Sequence, residues 1–248
     1  MGQILLVRHG QASFGSSNYD QLSARGEAQA RLLGRWFSER GQQVDRVVSG
    51  TMLRHQQTAQ ACLGMLADAP AATSWQADAG FNEYDHDAVL HRYRPQFAEP
   101  GEVRRFIAAE AQGNRAFAQI FKDAMARWMH GAHDADYDES WPAFRQRCVA
   151  ALQRLAAEVA ASPDSQTTIV FSSGGTIATL CQHVLRIPDP QVFALNWTLV
   201  NSGVTKLYYR RTPSGHTPPA AEPDLTLGYL NNYAHLEALG DADAVTYR

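Results

Sequence analysis

Apolar residues recur in two rhythms along this chain. QILLV at 3–7 is a short apolar run that suits a strand covered on both faces, and VDRVV at 44–48 and TTIVF at 167–171 read as further strands. A further short strand is expected near Thr73–Gln76, and VTKLYYRR and LTLGYL read as late strands. Between these runs the period lengthens to that of a helix. LSARGEAQARLLGRWFSERG places Leu22, Ala28, Leu32, Leu33, Trp36 and Phe37 on one face, with Ser23 as N-cap and Gly41 as stop. Phe144, Cys148, Leu152, Leu155 and Val159 repeat the pattern, and helices are also expected after SGTM (49–52) and in TIATLCQHVL. Strands alternating with helices predict an α/β three-layer sandwich, a mostly parallel central sheet with helices on both faces.

One stretch breaks the alternation. From about 88 to 142 the chain turns charged and irregular, with helix-like pieces around Val103–Met129. It reads as an inserted helical lid over the sheet edge within a single domain spanning 1–248. TPSGHTPPAAEPD (212–224) suits an exposed loop and little else.

Composition narrows the classes. The 248 residues are 45% hydrophobic and 19% charged, which excludes disorder, and they carry a net charge of −3 with no basic block, which argues against nucleic acid as the main partner. Cys62, Cys148 and Cys181 are odd in number and sit among helix-like apolar residues, as reduced core thiols do. MGQILLV lacks a basic n-region and no apolar run is long enough to span a bilayer, so a soluble cytoplasmic protein with no membrane partner is expected.

The candidate chemistry lies where parallel strands end, the edge at which such sheets collect ligands. The first strand ends in Arg8-His9-Gly10. The second ends in Ser49-Gly50 and leads into a helix with Arg54 in its first turn. The strand at 167–171 ends in Ser172-Ser173-Gly174-Gly175 and enters another helix. Helix N-termini offer unpaired N–H groups, glycines let an anion approach the backbone, and guanidiniums bind phosphate bidentately. Each piece alone is an ordinary turn or a surface arginine; three at one edge describe a phosphate pocket.

LLVRHG (5–10), SGTMLRHQQTA (49–59), FNEYD (81–85) and IVFSSGG (169–175), in that order, resemble the successive signatures of the histidine phosphatase superfamily, the phosphoglycerate-mutase-like fold. AFRQRCVAAL and YLNNYAHL resemble that family's later helix and closing segment. The resemblance implies a cofactor-independent phosphatase acting on a small phosphomonoester, with no metal. By that likeness His9 accepts the phosphoryl group, Arg8 and Arg54 clamp it, and Glu83 protonates the leaving alkoxide and then activates water.

Two departures qualify the likeness. The family carries a second histidine where this chain has Ser173, and a tryptophan-asparagine pair where it has Gly15 and its neighbours. A hydroxyl at 173 can donate a hydrogen bond but brings no charge. The protein is then a slow phosphatase, or another residue substitutes, His86 being the candidate, or the site only binds inorganic phosphate or a phosphorylated ligand. A phosphoglycerate mutase is the remaining alternative.

Other polar residues read more plainly. His55 packs or faces solvent, His235 is structural, and His130, His133, Asp134 and Asp136 form a surface loop. Tyr93, Arg94, Arg104, Arg105 and Trp128 are the lid residues available to select a substrate.

Overall fold

The computed structural model describes residues 1–13, 20–210 and 224–247. Gly15 and most of the loop expected at 212–224 lie outside them.

The chain runs β1 (Gly2–Arg8), α1 (Ala24–Glu39), β2 (Arg46–Ser49), α2 (Leu53–Leu63), β3 (Gln76–Ala77), α3 (His86–Tyr93), α4 (Glu102–Ala109), α5 (Gly113–Met129), α6 (Trp141–Ala160), β4 (Thr167–Ser172), α7 (Gly174–Leu185), α8 (Asp189–Thr198), β5 (Val204–Tyr209), β6 (Leu225–Asn232) and α9 (Ala234–Glu237). Among the described residues the strands form one sheet in the order β3-β2-β4-β1-β5-β6. β3, β2, β4 and β1 are parallel, while β5 and β6 are antiparallel additions.

Successive residues of β1, β2 and β4 are buried because both faces of the sheet are covered. Ile4, Leu6, Val48 and Val170 point to the side of α6 and α7, where they meet Phe144, Cys148, Leu152 and Ile177. Leu5, Val7, Val47, Ile169 and Phe171 point to the other side, against Leu33, Phe37, Ala59 and Cys62 of α1 and α2. Alternation along each strand thus feeds two cores, and the three layers follow.

Ser23 caps α1, its hydroxyl accepting from the Gly26 N–H at 3.1 Å. Leu33 and Phe37 are buried on the expected face and Trp36 packs against it, but that face also takes in residues that hydrophobicity does not mark. Ala28 is exposed, and Gly26, Gln29, Ala30, Leu33, Gly34 and Phe37 are buried. The face is set by backbone approach: a side chain at Gly26 would overlap the Gln11 backbone, and one at Gly34 the Cys62 carbonyl. Gln29 is buried because its amide is fully used, accepting from Gln11 N–H at 2.9 Å and donating to Ala244 O and Thr246 Oγ1.

Residues 86–129 fold as three helices with a small core of their own, Leu90, Phe97 and Ile120. Trp128, proposed above as a substrate contact, is instead 1% exposed; it packs on Tyr84, Trp141 and Phe144 and donates to Glu139 O at 2.9 Å. Sequence periodicity also passed over α8, although Asp189 and Pro190 at its start are ordinary helix-opening residues. The three cysteines are free and buried, and burial pushes the Cys148 and Cys181 thiols up to about 12. No helix among the described residues is long and apolar enough to cross a membrane.

Candidate active site

β1 and β4 run side by side to the same edge, with Arg8 opposite Ser172. The His9 N–H donates to Ser172 O at 2.9 Å, so the chain leaves β1 still attached to β4. On its other side the His9 carbonyl accepts from the Ser202 N–H and from Asn201 Nδ2, each at 3.2 Å. Ser202 is itself held by His235, Nε2 to Oγ at 2.8 Å. His235 is therefore structural, as expected, and burial lowers its pKa to about 4.

The motif L-R-x-x-x-T explains itself here. Thr58 Oγ1 donates to Arg54 O at 2.6 Å within α2 and accepts from the Gly10 N–H at 3.1 Å. One hydroxyl fastens the turn after His9 to the helix that carries Arg54. Gly10 has no room for a side chain, because a Cβ there would overlap the Gly26 carbonyl.

His9 is 5% exposed. Its Nδ1 lies 2.7 Å from Gly10 O, an acceptor only, so Nδ1 carries the proton and Nε2 holds the lone pair. Burial, then the charges of Arg54 and Arg8 and the neighbouring His55 ring, hold its pKa well below the usual histidine range. The result is a neutral imidazole flanked by two cations. Arg8 reaches Leu199 O and Tyr247 O, the latter at 2.9 Å, and its guanidinium lies against Gly174. Arg54, 4% exposed, donates to Asp20 Oδ1 at 2.6 Å, while Asp20 Oδ2 accepts from the Leu53 N–H at the start of α2. Asp20 escaped the sequence reading; an isolated acid in a loop carries no local signal.

The turn from β4 into α7 closes the group. Glu83 Oε2 accepts from the Gly175 N–H at 2.9 Å, placing the carboxyl at the N-terminus of α7. Only glycine allows this approach, since a Cβ at 175 would overlap Glu83 Oε1. Ser173 is the N-cap residue of α7, yet its hydroxyl does not cap the helix. It lies 2.6 Å from His55 Nε2.

His55 is the residue that the sequence reading missed. It neither faces solvent nor merely fills space: it is 0% exposed, its ring centroid is 5.8 Å from that of His9, and it sits directly on Ser173. A glycine at the end of β2 was the available signal, because a Cβ at Gly50 would overlap His55 Nδ1. His86, the candidate substitute, begins α3 with its side chain 37% exposed and 3.5 Å from Asp87. In the expected surface loop, His133 and Arg127 both contact Asp136. Among the described residues, no group of three or more His, Cys, Asp or Glu side chains is gathered to hold a metal ion.

A family model described as the histidine phosphatase superfamily (branch 1) matches residues 4–116 and 104–214. The chain belongs to the histidine phosphatase superfamily. The two matched segments meet within the 86–129 helices, and between them they contain His9, Arg54, Glu83 and Ser173. No curated protein sequence matches the chain. Solved structures of superfamily phosphatases share its fold. An Entamoeba histolytica phosphoserine phosphatase variant in complex with phosphoserine superposes with TM-score 0.59 at 17% identity, covering 95% of this chain and 100% of that one. A mycobacterial glucosyl-3-phosphoglycerate phosphatase with inorganic phosphate gives 0.58 at 20%, covering 95% and 99%. A putative alpha-ribazole-5'-P phosphatase from Escherichia coli gives 0.58 at 18%, covering 94% and 98%.

Proposed function

We propose that the protein is a phosphatase that hydrolyses a small phosphomonoester through a phosphohistidine on His9. The observation that carries this reading is the state of that imidazole: neutral, with the Nδ1 proton directed at Gly10 O, Nε2 left as the lone-pair nitrogen, and the charges of Arg54 and Arg8 acting on the ring.

In the first step the Nε2 lone pair attacks phosphorus and the ester P–O bond breaks. Arg8 and Arg54 neutralise charge on the equatorial oxygens, and Glu83 supplies the proton taken by the departing alkoxide. In the second step a water oxygen attacks phosphorus, Glu83 takes its proton, and the N–P bond breaks to release inorganic phosphate and restore neutral His9. No group beyond these side chains takes part. Residues 88–142 act as a lid that excludes bulk water and contacts the leaving group, and the protein works as one domain.

Turnover of a panel of phosphate esters tests the reading. Wild type releases phosphate from at least one small ester, and His9→Ala releases none above background. Binding of phosphate without hydrolysis across the panel would leave a ligand-binding protein in place of an enzyme.

A further inference from the structure

We infer that His55 and Ser173 form one functional unit, in which His55 orients the Ser173 hydroxyl as a hydrogen-bond donor to the phosphoryl group in transfer. The inference rests on the phosphatase reading above and names the group that fills the position of the family's second histidine.

The starting point is the tautomer of His55. Its Nδ1 is buried without a hydrogen-bond partner, and the hydrogen on Gly50 Cα points at it, in the direction where a Cβ would overlap the nitrogen. A lone pair tolerates a C–H directed at it, whereas an N–H would meet that hydrogen head on. The proton therefore sits on Nε2. Burial, then Arg54, holds the pKa of His55 well below the usual range, so the ring carries this one proton only. Nε2–H then donates to Ser173 Oγ over 2.6 Å.

That bond fixes the serine. With its oxygen accepting from His55, and accepting no N–H of α7 as a cap, the hydroxyl keeps its own hydrogen to give. Ser173 stands between the His55 ring, 5.8 Å from His9, and Gly174, against which Arg8 lies. An oxygen of a phosphoryl group on His9 Nε2 is the acceptor this geometry offers. Both residues are 0% exposed, so the donor is held in place and shielded from water, the condition under which such a bond favours a transition state most. The chain has in effect moved its second imidazole from the β4–α7 turn to α2 and reaches the phosphoryl group through a serine. His55 is a positioning residue; Ser173 makes the contact.

Four variants, with melting temperature and inorganic phosphate binding as controls of folding, test the pair. Ser173→Ala, which removes a single oxygen, lowers kcat by about 10²-fold with little change in KM. His55→Leu lowers kcat in the same way. The double variant is no slower than the slower single one, because both remove the same donor. His55→Gln, whose amide N–H can replace Nε2–H, recovers kcat to within about tenfold of wild type. Ser173→Ala within twofold of wild type, losses that multiply in the double variant, or Gln as poor as Leu would each overturn the inference. A wild type without turnover defeats the phosphatase reading itself. Full dependence on His9 with indifference to Ser173 and His55 defeats only this inference.

Discussion

The pocket at the carboxyl edge of the sheet and the helical layer at residues 86–129 are built on opposite plans. In the pocket, Arg8, His9, Arg54, His55 and Ser173 are each less than a tenth exposed, and the backbone lies close at Gly50 against His55, at Gly174 against Arg8 and at Gly175 against Glu83. His9 is tied to β4 through its N–H, Arg54 is paired with Asp20, and Ser173 meets His55. The helical layer is less evenly buried: α4 buries no side chain, a small cluster forms around Leu90, Phe97 and Ile120, and of its buried side chains only Val89, Ala124, Met125 and Trp128 reach the main core. Fixed geometry suits a reaction common to many substrates, and a lightly packed layer suits whatever distinguishes one substrate from another. Under the proposed function, chemistry and selectivity would be separable, and each half could be broken without the other.

Arg54→Ala should give the largest effect on the pocket side. It removes one of two cations beside His9 and leaves Asp20 without that partner. kcat/KM should fall by about 10²–10³-fold while the melting temperature moves by only a few degrees. A loss below tenfold in steady-state assays would show that Arg54 does not hold the transferring group.

Phe97→Ala breaks the other half. Phe97 is 4% exposed and packs edge-on against Phe106, ring centroids 5.4 Å apart. Its truncation should cost about 3 kcal/mol, concentrated in α3–α5 and visible as faster amide exchange there. Affinity for inorganic phosphate should stay within about twofold, while KM for the ester rises. Equal losses in both would mean that the two regions are one unit.

A smaller, graded effect comes from the buried histidines beneath the pocket. His9, His55 and His235 all have lowered pKa values, so the folded chain refuses protons that the unfolded chain accepts below about 6.5. Stability is then full above that pH and falls as pH drops. For His235 the fall continues to about 4, a loss on the order of 2–3 kcal/mol from that residue alone. Denaturation midpoints at pH 7.5, 6 and 5 should decline in that order, and less steeply in His235→Gln. A flat profile would show that these rings are not held neutral.

The same contrast governs what could be read from the sequence. Strands covered on both faces and the amphipathic α6 are written in consecutive residues, so β1, β4 and α6 appear where periodicity puts them. The convergence of 8–9, 54 and 172–175 was legible because parallel strands end at one edge. What stayed hidden depends on contacts across the fold. Ala28 was placed on the inner face of α1 because hydrophobicity does not report that Gly26 and Gly34 touch backbone. His55 was passed over because its partner lies 118 residues away. Asp20 pairs with Arg54 from a loop, and nothing in its neighbours marks it.

The account stands on His9 becoming phosphorylated. Acid-free rapid quenching of wild type with a radiolabelled phosphate ester, followed by peptide mapping, measures that directly. The predicted result is base-stable, acid-labile phosphate on His9 that forms and decays fast enough to carry turnover, and none in His9→Ala. Turnover by wild type with no label on His9, or turnover that survives in His9→Ala, would contradict it.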